Sequence, residues 1–354
     1  MPLPTALTQR LGISHPIIQA PMAGGGDTPA LVAAVGEAGG LGSIGGAYLA
    51  PGQILDAAKT VREKTKRPFA INLFSPLPAP TPPKDYTAAI AQLASYFAEL
   101  GLPAPTPPGP PAYSFDDQMA AVLESGATVF SFAFASVPAA TLAAAKARGM
   151  TVIGTATTVE EAVALEKLGV DAVAAQGSEA GGHRGTFAQA FEDAMIGTMA
   201  LVPQTVDAVR VPVIAAGGIM DGRGIAAAFA LGASAVQMGT AFLTCDEAGP
   251  PEVYKRAILN AREHETRITR AFSGRPARGI VNRVMTDLAD AEIPEFPLQN
   301  ALTRPMRTAA GKAGKADYLS LWAGQGLRLA RRQKAGDLVR KLVRETEAAL
   351  GQLR

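Results

Sequence analysis

Eight short apolar runs, each followed by a helix-forming or glycine-rich stretch, constrain this chain more than any other feature of its sequence. The runs are Pro16–Met22, Leu41–Gly45, Phe69–Phe74, Thr128–Phe134, Thr151–Thr155, Ala172–Gly177, Val211–Ala216 and Ala235–Phe242. Between them, the spacing of Ala, Val and Leu predicts helices at Thr28–Ala38, Pro51–Lys64, Pro138–Arg148, Val159–Leu168, Ala194–Val209 and Gly222–Leu231. Such alternation calls for a parallel sheet covered by helices, and eight strands favour its closed form, the (β/α)8 or TIM barrel. Chemistry in that fold gathers at the C-terminal ends of the strands.

Two segments interrupt the rhythm. Residues 76–111 hold two proline clusters around a helical stretch near Tyr86–Leu100, which reads as a stiff linker or, because it starts on the barrel's active face, as a roof over the site. Residues 246–309 follow the eighth strand, are richer in charge and read as a small helical subdomain that binds substrate over the same face. The barrel is then expected to comprise residues 1–245 and 310–354. Its last segment leads into a basic amphipathic helix with Arg328, Arg331, Arg332 and Lys334, a solvated face.

Composition narrows the partners. With 48% hydrophobic and 18% charged residues the chain is globular, and a net charge of +2 gives no electrostatic case for nucleic acid or an anionic membrane. A small molecule is the expected partner, and a homodimer is compatible with the sequence without being specified by it. Cys245 is the lone cysteine, so no internal disulfide forms, no metal-ligand spacing exists, and a reducing, cytoplasmic setting is expected. No apolar run reaches the roughly 18 residues of a membrane span, and Met1–Gln19 lacks the pattern of a secretory signal.

The richest motif is Asp171-Ala-Val-Ala-Ala-Gln176-Gly-Ser-Glu179-Ala-Gly181-Gly182-His183-Arg184-Gly185, a buried strand that breaks into glycines around a histidine. Glycines admit close backbone approach, and an imidazole titrates nearest to neutral pH. His15 and His264 read as structural or solvated. The stretches Gly217-Gly218 and Gln237-Met238-Gly239-Thr240 end the seventh and eighth strands, where barrels of this kind hold a phosphate through backbone amides, so a monophosphate cofactor is implied. Met22, in the glycine-rich mouth of strand one, and the amides of Asn72 and Gln176 on the same rim suit a flavin. Gly40-Leu-Gly42-Ser-Ile-Gly45 matches the dinucleotide pattern, yet it follows a helix and forms a strand, the reverse of the order that pattern requires.

The segments Gln19–Gly24, Asn72–Phe74, Gln176–Gly185, Ala215–Gly224 and Gln237–Thr240, with Ala271–Arg278 and Ser320–Gln325 further on, resemble nitronate monooxygenases, formerly 2-nitropropane dioxygenases, of the class I branch. The resemblance implies FMN held by Asn72, Gln176, Gly181, Gly218, Gln237, Met238, Gly239 and Thr240, with Met22 near the ring and His183 as the catalytic residue. It implies oxidation of an anionic alkyl nitronate with O2 to a carbonyl compound and nitrite. Some relatives place tyrosines where this chain reads Gln299–Arg307 without one, which leaves substrate preference open. The alternative on the same cofactor is NAD(P)H-dependent reduction of a quinone or enoyl compound; a non-catalytic flavin-binding barrel is the third reading.

Overall fold

The computed structural model describes residues 5–352. Its strands in chain order are β1 (Ile17–Gln19), β2 (Gly42–Gly45), β3 (Phe69–Phe74), β4 (Val129–Ala133), β5 (Thr151–Ala156), β6 (Ala172–Gln176), β7 (Gly182–His183), β8 (Val213–Ala216), β9 (Ala235–Met238), β10 (Thr266–Thr269) and β11 (Ala277–Ile280). All but β7, β10 and β11 form one parallel sheet of eight strands, in the order β1-β9-β8-β6-β5-β4-β3-β2. A parallel bridge between Ile18 and Leu41 joins β1 to the start of β2, which brings the two ends of the sheet together as the expected (β/α)8 barrel.

Period-two alternation decides what each strand contributes. Outward residues such as Ile44, Ile71, Phe130, Val152, Val173 and Val236 pack under the surrounding helices in one apolar core. Inward residues Ile18, Ala70, Val129, Ile153, Ala174, Ile214 and Ala235 form a separate core inside the barrel. That inner core is plugged from below by Leu7 and Leu11 of a helix over Ala6–Leu11. This six-residue helix is too short to show periodicity in sequence, and a reciprocal pair of bonds between Thr5 and Thr8 starts it. Also at this lower end, Asp171 is buried, accepts from the Val152 amide at 2.8 Å and pairs with Arg10 and Lys146.

Three departures from the sequence reading bear on the upper end of the barrel. The eighth strand stops at Met238, and Thr240–Leu243 turns into a short buried helix, because an apolar run does not by itself distinguish strand from buried helix. The helix expected from Ala194 begins at Thr198, whose amide and hydroxyl donate to the Glu179 carboxylate. The segment 246–309 is not purely helical. It supplies β10 and β11, and β11 pairs with β7 in a small antiparallel sheet, Ala277 opposite His183 and Arg278 opposite Gly182. Strands of two to four residues carry too little alternation to read in advance.

The proline-rich segment does more than link. Its helix, Thr87–Glu99, buries Leu93, Tyr96 and Phe97 against Ile258, Phe272, Leu302 and Met306. Arg283 clamps Glu99 with bonds of 2.7 and 2.9 Å, and the Tyr96 hydroxyl donates to Asp287 at 3.0 Å. The two insertions therefore form one apolar roof over the upper end of the barrel. No helix among the described residues is long and apolar enough to cross a membrane.

Candidate active site

The same alternation that fills the lower barrel with Ala, Val and Ile makes its top layer polar. Two residues above Ala70, Val129, Ile153, Ala174 and Ala235 stand Asn72, Ser131, Thr155, Gln176 and Gln237. All but Ser131 line a cavity of ≈ 950 Å³ between barrel and roof. Every residue singled out in the sequence lies on its wall: Met22, Asn72, Gln176, Gly181, His183, Gly218, Gln237, Met238, Gly239 and Thr240. The mouth of β1 is braced by Asp27, whose carboxylate accepts from the Met22 and Gly45 amides at 2.7 and 2.9 Å. Burial raises Asp27 to about 6, partly offset by those amides.

The loop after β6 is held from both sides. Gln176 accepts from the Gly185 amide at 2.8 Å and donates to the His183 carbonyl at 3.1 Å, so both ends of its side chain serve the loop. Arg184 turns inward, fully buried, and donates to the carbonyls of Gly177, Gln176 and Ala194. With β7 locked to β11, His183 is fixed at the cavity wall. Its Nε2 lies 2.9 Å from Ser273 Oγ. That hydroxyl donates to the Arg275 carbonyl at 3.1 Å, which assigns the imidazole proton to Nε2 and leaves Nδ1 as the acceptor. Among the described residues, Nδ1 has no hydrogen-bond partner.

Around the imidazole stand Trp322, Phe134, Phe296 and Phe74, with ring centroids 5.6, 5.8, 6.0 and 6.2 Å away. Burial in this box pushes His183 down to about 3, helped by the charges of Arg275 and Arg307. Both guanidiniums are themselves lowered by burial, to about 10, and stay charged at neutral pH. Phe134 adopts a left-handed backbone, φ 88, rare for a bulky residue and costing about 1–3 kcal/mol. Its ring is stacked between Phe74, at 4.2 Å, and the Arg275 guanidinium, at 3.9 Å.

Sequence reasoning did not single out Phe134, Phe74, Ser273, Trp322, Arg275 or Tyr48. Ser273 and Trp322 lie inside the two later segments that carried the family resemblance, and both touch His183. The Tyr48 hydroxyl is buried with no hydrogen-bond partner among the described residues, and burial raises it to about 12. Cys245 is buried under the eighth strand's short helix, its thiol pushed up to about 12 by burial, which suits packing and not nucleophilic attack. His15 is partly buried at the lower end beside Gly39, and His264 is exposed next to Glu263.

Glycines shape the rest of the wall. Gly217 and Gly218 have φ of 115 and 70, and a Cβ on Gly218 would meet the Glu179 side chain at 3.3 Å. The Thr240 hydroxyl accepts from the Gly324 amide at 2.9 Å, which ties the Ser320–Gln325 segment to the same rim. The dinucleotide-like glycines serve packing instead. A Cβ on Gly42 would lie 2.4 Å from the Val32 carbonyl oxygen, and one on Gly45 would lie 2.4 Å from the Ala23 amide nitrogen.

The sequence profile of the nitronate monooxygenase family matches residues 5–345. The chain is 43% identical over 349 residues to a probable nitronate monooxygenase of Staphylococcus saprophyticus, covering 98% of each chain. It is 42% identical over 342 residues to one from Staphylococcus aureus, covering 96% of each. Among solved structures, nitroalkane oxidase from Streptomyces ansochromogenes matches with a TM-score of 0.92 at 43% identity, over 99% of this chain and 100% of that one. FabK from Thermotoga maritima matches at 0.78 with 32% identity over 99% of both. By the extent of these matches the chain belongs to the nitronate monooxygenase family, a family of oxidoreductases.

Proposed function

We propose that the chain is an FMN-dependent monooxygenase that converts alkyl nitronates and O2 to carbonyl compounds and nitrite. The observation that carries this reading is His183: a neutral imidazole in an aromatic box, with Nδ1 free and two guanidiniums within electrostatic reach. The wall fits the cofactor. Gly217-Gly218 and Gly239-Thr240 leave room and amides for one phosphate, and the polar layer of Asn72, Gln176 and Gln237 offers donors and acceptors to a flat heterocycle. FMN, when bound, supplies the sink for electrons leaving the substrate carbon.

The protein's own part differs between two kinds of substrate. A preformed nitronate has already lost its carbon proton, so it needs charge compensation, which the positive field of Arg307 on the cavity wall and of Arg275 behind it supplies. A neutral nitroalkane must first give up that proton, and Nδ1 of His183 is the base placed to take it. The likeness to FabK supports a second reading, reduction of a quinone or enoyl compound by NAD(P)H.

The test compares kcat/KM for a nitroalkane and for its nitronate in wild type and His183→Asn. The variant should lose roughly 10²- to 10⁴-fold on the nitroalkane, the worth of a positioned base. It should lose less on the nitronate. Unchanged values on both would reduce His183 to a structural residue and defeat the reading.

A further inference from the structure

Glu161, in the first turn of the helix Val159–Leu168, is fully buried and forms no ion pair among the described residues. A carboxylate taken out of water is costly unless other donors replace the water. Four do. Its Oε2 accepts from the Thr157 amide at 2.6 Å and the Thr157 hydroxyl at 2.8 Å, and its Oε1 accepts from the amide of Phe187 and from that of Ala188 at 2.9 Å. The start of the helix is served separately by Thr158, whose hydroxyl accepts from the Glu161 amide at 3.2 Å. Half of the carboxylate's bonds therefore go to the segment that follows His183.

A chain of bonds runs on from Glu161 with a fixed direction. The Thr157 hydroxyl gives its one proton to Glu161, so at its 2.8 Å contact with Thr186 Oγ1 it is the acceptor and Thr186 donates. The Thr186 carbonyl accepts from Arg275 Nη2 at 2.6 Å, and the Arg184 carbonyl accepts from Arg275 Nε at 3.2 Å. Burial lowers Arg275 to about 10, and the charge of Glu161 opposes that most. Arg275 in turn stacks on Phe134 at 3.9 Å, and its carbonyl accepts from Ser273 Oγ, the group that touches His183 Nε2. We infer that Glu161 is a positioning residue: through Thr157 and Thr186 it sets the Arg275 guanidinium against Phe134, and through Arg275 the Ser273 hydroxyl on His183. The reaction served rests on the nitronate reading above; the relay rests on these bonds alone.

Two measurements on the protein as purified test it. The first, amide hydrogen exchange resolved to single residues by mass spectrometry with electron-transfer fragmentation, needs no turnover. Thr186→Val cuts the relay and leaves all four donors on Glu161, so Phe187 and Ala188 should stay protected while the amides of Arg184 and Arg275 exchange about 3- to 10-fold faster, with β3 unchanged. Glu161→Gln turns an N–H towards other donors and should speed all four amides. Thr186→Ser keeps the hydroxyl and should restore wild-type exchange. Wild-type exchange at Arg184 and Arg275 in Thr186→Val, or effects of Glu161→Gln confined to its own helix, Phe187 and Ala188, overturn the relay. The second measurement is kcat/KM for a nitroalkane per bound flavin, which should fall about 3- to 10-fold in Thr186→Val and return in Thr186→Ser. Per-flavin values equal to wild type would leave both residues merely structural and overturn the positioning role. If wild type turns over neither a nitroalkane nor its nitronate, the nitronate reading falls and the exchange data alone decide the relay.

Discussion

A histidine held neutral inside a protein leaves a signature in stability. His183 drops from the ordinary value of 6.5 to about 3 in the folded chain, chiefly through burial, with Arg275 and Arg307 adding to it. The folded-state value is depressed, so below pH 6.5 the unfolded chain binds a proton that the folded one refuses. Stability from this group is therefore intact above pH 6.5 and is lost as pH falls from there towards 3. At pH 5 the unfolded-state proton is worth about 2 kcal/mol, at pH 7 only about 0.2 kcal/mol, and the result is the same for any folded value below about 4. His183→Asn removes the group and leaves every other titration in place. Urea unfolding of the cofactor-free protein at pH 7 and pH 5 should show wild type losing about 2 kcal/mol more than the variant between the two. Parallel losses, within about 0.5 kcal/mol, would mean that the folded protein accepts the proton, and the argument for a neutral base would fail.

Other consequences are local. Gly218→Asp forces a side chain onto a backbone at φ 70, against Glu179, and sets a carboxylate beside the proposed phosphate cradle, so on the FMN reading the purified protein should carry markedly less flavin by absorbance. Ser273→Ala frees the His183 ring, which should lower kcat/KM for a nitroalkane by about 3- to 10-fold with flavin content unchanged. Asp171→Ala strands the Val152 amide at the far end of the barrel, which should cost about 1–3 kcal/mol in urea unfolding and leave turnover of the surviving enzyme unaltered.

What was legible in the sequence is what repeats. Eight apolar runs between helices announced the barrel, and Asn72, Gln176 and Gln237 at their ends meet at one cavity because strand parity sends them there, with Gly218 joining them from the turn beyond β8. His183 stood out because glycines isolate it in the chain. Its partners did not, because they come from distant segments: Ser273 and Trp322 reach it only after β11 pairs with β7, and Phe134 reaches it through an unusual backbone angle. Tyr48 belongs to the same class, a side chain whose burial depends on packing that no local pattern encodes. The roof was half visible: its helix was read within a residue at each end, and its proline flanks left linker and roof both open.

The central claim is settled most directly by supplying the purified protein, in air, with a small alkyl nitronate in one vessel and NADH in another. Oxygen uptake matched by nitrite and carbonyl product should accompany the nitronate, FMN and not FAD should be released on denaturation, and NADH should be consumed slowly at most. Rapid NADH oxidation that a quinone or enoyl acceptor accelerates, with no nitrite from the nitronate, would contradict the account and install the reductase in its place.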